Sequence, residues 1–184
     1  MKILGICGSL RKDSLNRSLL RAAQGLTPDG TTIDIIDLGD IPLFNEDVEA
    51  QGDPDPVQAL KERIRATDAV LIATPEYNWG LPGALKNAFD WASRPAGRSV
   101  LKQKPVAMMG ASTGPWGTTR AQLQLRQSLT YVDALTLQSP WVYVAMGKEK
   151  FDGSGALSDE RTRQQVKELV AALVAWTERL RPRA

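Results

Sequence analysis

The sequence predicts an α/β fold, a doubly wound five-stranded parallel sheet in the order 2-1-3-4-5 with helices on both faces. Three observations predict it. Short apolar runs suited to strands alternate along the chain with longer segments in which apolar residues recur at helical spacing. One run, Ala69–Thr74, is apolar almost throughout, as a central parallel strand buried on both faces requires. No repeat, low-complexity tract or linker interrupts the 184 residues, so residues 1–184 are expected to form one domain.

Taken in order, Met1–Cys7 is a first buried strand, broken only by Lys2 and Gly5. Gly8–Asn16 is the turn into a helix over Arg17–Gln24, whose Leu19, Leu20 and Ala23 share one face. Thr27–Gly30 is a turn, and Thr31–Ile36 is a second strand carrying Ile33, Ile35 and Ile36. Asp37–Asp55 is irregular, with Ile41, Leu43 and Phe44 expected to pin it to the body. Pro56 sits in the first turn of a helix through Val57–Ala66, followed by the central strand. Pro82 opens a helix to about Ser93, Pro105–Ala111 is a fourth strand, and Thr118–Tyr131 is another helix. Leu135–Leu137 and Trp141–Ala145 form a broken fifth strand. Ser158 is expected to cap a last amphipathic helix from Asp159 to about Leu180, with Val166, Leu169, Val170, Leu173 and Val174 facing the core.

Composition removes several functional classes. A net charge of +2, with no Lys/Arg patch, gives no footprint for nucleic acid. The chain lacks a secretory leader and any long apolar run, so no membrane span and a cytoplasmic location are expected. Its single cysteine, Cys7, cannot form an internal disulfide and is expected to act as a small buried hydrophobe. There is no histidine, which excludes Ser–His and Cys–His nucleophiles, His-ligated zinc and imidazole acid–base catalysis. An enzyme built on this chain would borrow its chemistry from a cofactor or use carboxylates, Tyr or Lys.

In a sheet of this order, ligands bind beyond the carboxyl ends of the strands, at the switch between the first and third. Three distinctive loops converge there: Gly8–Asn16, Pro75–Leu81 and Ser112–Gly117. In the first, Ser9, Ser14 and Asn16 offer polar groups, Arg11 and Lys12 add positive charge, and the following helix presents unpaired N–H groups, a set suited to one phosphate. The same residues also suit an ordinary helix start capped by Ser14. Neither the triphosphate-binding Gly-x-x-x-x-Gly-Lys-Ser/Thr nor the dinucleotide-binding Gly-x-Gly-x-x-Gly is present. In the second loop, Glu76-Tyr77-Asn78-Trp79 could frame a flat heterocycle or could simply pack on neighbouring loops.

Gly8-Ser9-Leu10-Arg11-Lys12-Asp13-Ser14-Leu15-Asn16, Pro75-Glu76-Tyr77-Asn78, the Pro82–Trp91 stretch and Gly110–Gln122 together resemble the flavodoxin-like NAD(P)H-dependent FMN reductases, a family that includes bacterial quinone, chromate and azo-dye reductases. The likeness runs through essentially the whole chain in the right order. It implies that Ser9, Arg11, Ser14 and Asn16 hold the FMN phosphate. It further implies that Pro75, Glu76, Tyr77 and Asn78 support the isoalloxazine ring, with Ser112, Thr113 and Gly114 at its other edge. NADPH or NADH would be the co-substrate, with no choice between them from the sequence; Arg11, Lys12 and Arg94 are the only hints of a 2′-phosphate contact. No side chain is assigned an acid–base role, and no metal is implied. Trp79, Trp116 and the Thr118–Thr119 pair depart from what relatives usually carry, and are where pocket shape and substrate choice are expected to be set.

The resemblance also implies a homodimer, in some members a dimer of dimers, with the Leu81–Trp91 helix and Trp91 as interface candidates; Trp91 suits a core position nearly as well. The expected activity is transfer of hydride from NAD(P)H through FMN to quinones, free flavin or similar small acceptors, with chromate and azo compounds as further acceptors. The alternatives are a non-enzymatic electron carrier and a flavin-binding regulatory protein. Carriers are usually strongly acidic, which this nearly neutral chain is not.

Overall fold

The computed structural model describes residues 1–181. Strand β1 (Lys2–Cys7) lies between β2 (Thr32–Ile36) and β3 (Ala69–Ala73), and β4 (Pro105–Ala111) flanks β3, all in parallel. The edge beyond β4 is a split strand: β5 (Leu135–Thr136) pairs with Pro105 and Val106, and β6 (Val142–Val144) pairs with Met109, Gly110 and Ala111. Pro140 lies in the gap, where its missing N–H interrupts no ladder. The order β2-β1-β3-β4-β5, with β6 on the same edge, is the flavodoxin-like order.

The helices are α1 (Leu15–Gln24), a single-turn α2 (Glu46–Glu49), α3 (Asp55–Arg65), α4 (Gly83–Ala92), α5 (Thr119–Tyr131) and α6 (Glu160–Leu180). Alternation along the strands divides the core between them. On β3, Ala69, Leu71 and Ala73 pack toward α1 and α6, whereas Val70 and Ile72 pack toward α3, α4 and α5. Full burial of Leu71 or Ile72 stabilises the fold by about 1.5–3 kcal/mol each, so a polar residue fits on neither face of this strand.

The backbone bends at Gly8, where the loops also approach closely, since a Cβ there would lie 3.1 Å from Leu85 Cδ2 and 3.2 Å from Pro75 Cδ. Three local expectations are corrected. Leu43 does not pin the β2–α3 connection, being 83% exposed. Trp91 is not available to a partner: it is fully buried, with its indole N–H donating to the Pro42 carbonyl at 2.8 Å and its ring edge-on to Phe44. Trp91, Phe44 and Asn87, whose side chain bonds the Phe44 N–H and the Pro42 carbonyl, are therefore what hold that connection. The cap of α6 is Asp159 rather than Ser158. Its carboxylate accepts from the Thr162 hydroxyl and N–H and pairs with Lys150, which lowers its pKa to about 2.

Candidate functional site

The ends of β1, β3 and β4 bring the three loops to one edge of the sheet. The β3 and β4 loops can approach because Gly110 presents no side chain between the Thr74 carbonyl and the Thr118 hydroxyl. Between the loops lies a cleft of about 200 Å³. Ser9, Arg11, Ser14 and Asn16 line one end, Pro75, Glu76 and Tyr77 one wall, and Ser112 and Thr113 the other. Of the residues picked from the sequence, Asn78 and Gly114 do not line it. Asn78 is exposed at the tip of the Tyr77–Gly80 hairpin, and the Gly114 carbonyl accepts from the Ser112 hydroxyl and the Met146 N–H.

At the first end, Ser14 is the N-cap of α1, its hydroxyl accepting from the Arg17 N–H at 3.3 Å. The N–H groups of Leu15 and Asn16 find no partner among the described residues. Ser9 is buried, and its hydroxyl oxygen accepts from the Arg11 N–H at 3.4 Å. Two free helix N–H groups, two buried hydroxyls and one exposed guanidinium thus converge on a small volume, an arrangement that favours an anion.

The Asn16 side chain faces away from that anion pole. Its amide donates to the Ala111 carbonyl and accepts from the Ala111 N–H, both at 2.9 Å, tying the start of α1 to the end of β4. Both groups are buried, so Asn16→Ala is expected to leave them unpaired and to cost about 2–5 kcal/mol. The expected result in thermal unfolding is a drop in Tm of roughly 5–15 °C; an unchanged Tm would show that water replaces the amide.

Glu76 is likewise engaged elsewhere. Its Oε2 accepts from the backbone N–H groups of Arg120 (2.8 Å) and Ala121 (3.0 Å), capping α5, and its Oε1 accepts from the Arg120 guanidinium at 3.3 Å. Arg94, one of the three cations considered for a 2′-phosphate, is bound through Nε to both carboxylate oxygens of Glu49. Cys7 is buried beneath the first loop, and burial pushes its thiol pKa up, so it is not poised as a nucleophile.

The family model for NADPH-dependent FMN reductases matches residues 1–149. The chain belongs to that family. Among similar members, an NAD(P)H-dependent FMN reductase of Pseudomonas aeruginosa is 47% identical over 181 residues, covering 98% of this chain and 97% of its own. A 2-hydroxy-1,4-benzoquinone reductase of a Burkholderia species is 39% identical, with 96% of both chains covered. Among solved structures, the flavoenzyme NAD(P)H:(acceptor) oxidoreductase FerB of Paracoccus denitrificans superposes with a TM-score of 0.88 at 39% identity, covering 97% of each chain.

Of the first-loop segment Ser9–Ser14, the structure places Ser9, Arg11 and Ser14 on the cleft, and not Leu10, Lys12 or Asp13. Leu15 and Ala111, which also line the cleft, carry no polar signal that sequence reasoning could have used. Arg120 was missed as well, although it left a trace: a cation in the first turn of α5 opposes the helix dipole, which implies that an acid holds it there.

Proposed function

We propose that this member of the family is an FMN-dependent oxidoreductase that takes hydride from NADPH or NADH and reduces quinones, free flavin or similar small acceptors, with chromate and azo compounds as further acceptors. The observation that carries this reading is the cleft, with an anion pole at one end and an aromatic-bearing wall at the other. FMN fits that donor set. The N–H groups of Leu15 and Asn16, the hydroxyls of Ser9 and Ser14 and the charge of Arg11 would hold its single phosphate. Pro75, Glu76 and Tyr77, with Ser112 and Thr113 opposite, would hold the ring, and Asn78 and Gly114 would shape the loops beside it.

Bound FMN supplies the two-electron relay between the two substrates. What this chain contributes is binding and orientation, consistent with the absence of histidine and with the engagement of the Glu76 carboxylate in capping α5. The net reaction is NAD(P)H plus a proton plus quinone giving NAD(P)+ plus hydroquinone, the second proton coming from water that reaches the open cleft. The enzyme reading is favoured over a passive carrier because the relatives at 39–47% identity are named reductases. We further propose that residues 1–184 act as one FMN-binding domain, in the cytoplasm, as a homodimer or a dimer of dimers. No helix among the described residues is long and apolar enough to cross a membrane.

The decisive measurement is anaerobic. Protein purified with flavin absorbance should bleach on addition of NADPH or NADH alone and recover its colour on addition of a quinone. Bound flavin that neither nicotinamide reduces would make the chain a carrier or a regulatory protein.

A further inference from the structure

Beside the cleft stands a cluster that the proposed reaction has not yet used. Trp79 and Trp116 are 71% and 66% exposed, and the Arg120 guanidinium lies 4.3 Å from the first ring centroid and 5.5 Å from the second. The cluster joins the loop after β3 to the loop after β4, the two walls of the cleft.

The Trp79 backbone shows that the ring is placed at a cost. Tyr77 and Gly80 exchange hydrogen bonds of 3.1 and 2.9 Å across a two-residue turn in which Asn78 and Trp79 both have positive φ, +50° and +65°. Such a turn favours Asn then Gly; a large aromatic in the second place is strained. The Gln124 side chain, which accepts from the Leu81 N–H at 2.9 Å, and the Arg120 stack hold the turn in place. A strained and exposed tryptophan contributes little to the core, and strain of this kind gathers where a ligand is clamped.

Arg120 supplies the charge. The Glu76 carboxylate beside it is shared with the backbone N–H groups at the start of α5, and only one guanidinium donor reaches it. The remaining donors of Arg120 have no partner among the described residues. The result is a pair of exposed indoles with an incompletely neutralised, donor-rich cation between them, the ring faces turned away from Arg120 being open. Such a cluster suits a planar ring with a single anionic substituent, since one guanidinium matches one anion, whereas the pyrophosphate of a dinucleotide is better matched by more positive charge.

We propose that Trp79, Arg120 and Trp116 form the docking platform for the electron acceptor and select planar quinones that carry an anionic oxygen group. The ring stacks on the indoles, and the anion takes the free donors of Arg120. The step served is the one written above: the acceptor gains two electrons and two protons to become the hydroquinone, and NAD(P)H loses hydride. This inference rests on the reductase reading, and the test separates the two.

The probes are neutral 1,4-naphthoquinone and anionic 1,4-naphthoquinone-2-sulfonate, used on wild type, Arg120→Gln and Trp79→Gly. The glycine variant removes the ring and the backbone strain together. Binding is read by quenching of tryptophan fluorescence, and turnover by steady-state kinetics at saturating NADPH. Losing one charge-assisted contact in Arg120→Gln should raise Kd and KM for the sulfonate about tenfold or more, and those for the neutral quinone less than about threefold. Trp79→Gly should raise both quinone KM values, about fivefold for loss of one stacking face, with the KM for NADPH unchanged. Equal losses for the two quinones in Arg120→Gln, or a rise in the KM for NADPH instead, would overturn the proposal. So would a wild-type titration without quenching, as when a second copy covers the tryptophans. If wild type is not reduced by either nicotinamide, the reductase reading fails by itself, while the fluorescence Kd values still decide the platform.

Discussion

An Arg11→Ala, Ser14→Ala double variant is expected to leave purification without flavin and with its fold intact. Both residues line the anion end of the cleft, and each would contribute a hydrogen bond to phosphate, that of Arg11 charge-assisted. Two such contacts amount to about 3 kcal/mol or more, roughly a hundredfold or more in Kd. The price in stability is smaller. Ser14 caps α1 through one 3.3 Å hydrogen bond to the Arg17 N–H, and losing a cap of this kind costs about 1 kcal/mol against a total of about 5–15 kcal/mol. Arg11 is exposed, and its side chain forms no hydrogen bond or ion pair among the described residues. Flavin-to-protein absorbance ratios, with far-UV circular dichroism as the folding control, test the expectation. Stoichiometric flavin in the double variant would remove the first loop from the phosphate site. Ser14→Thr, which keeps a capping hydroxyl, should restore most of the flavin when Arg11 is present.

Gly110→Ala is expected to be the most damaging conservative substitution in the chain. Its new methyl group would overlap the Thr118 hydroxyl on one side and the Thr74 carbonyl oxygen on the other. Neither can step aside cheaply. The Thr74 N–H donates to Met109 O at 3.0 Å, fixing the end of β3 against β4, and the Thr118 hydroxyl accepts from the buried Gln122 amide at 2.9 Å. Ordinary overpacking costs about 1–3 kcal/mol, and a clash against backbone on a fixed strand belongs at or above the top of that range. Urea unfolding should show a midpoint well below wild type, with loss of flavin because the β3 and β4 loops are pushed apart. Adding Thr118→Ala should recover only part of the loss, since the Thr74 carbonyl remains. A wild-type midpoint for Gly110→Ala alone would mean that the two loops part without strain.

The flavodoxin-like order was legible because it depends on features that are local in sequence. The continuous apolar run Ala69–Ala73 can only be a strand covered on both sides, and the helical stripe Val166-Leu169-Val170-Leu173 can only face a core. The break in the fifth strand between Leu137 and Trp141 was legible as well, and Pro140 lies within it. The three loops could be placed at one edge because, in a doubly wound parallel sheet, strand order dictates which carboxyl ends are neighbours.

Side-chain partners were a different matter. Asn16 and Glu76 stand in motifs that imply cofactor contacts, yet the Asn16 amide clamps Ala111, 95 residues away, and the Glu76 carboxylate caps α5, 44 and 45 residues away. Trp91 carries an apolar surface that suits a partner as well as a core, and only the returning Pro42–Phe44 segment shows which covers it. The sequence by itself determined the strands and the long helices, their order, the family and the sheet edge where the three loops meet, because periodicity and loop motifs act within a few residues of one another; the single-turn α2, inside the stretch read as irregular, was not legible. The tertiary structure alone decided which polar groups remain free for a ligand. A hydrogen bond is satisfied by whichever group the folded chain brings within reach, and among the described residues that left the Leu15 and Asn16 N–H groups and the Arg11 side chain at the cleft, and most of the Arg120 guanidinium beside Trp79 and Trp116, without partners.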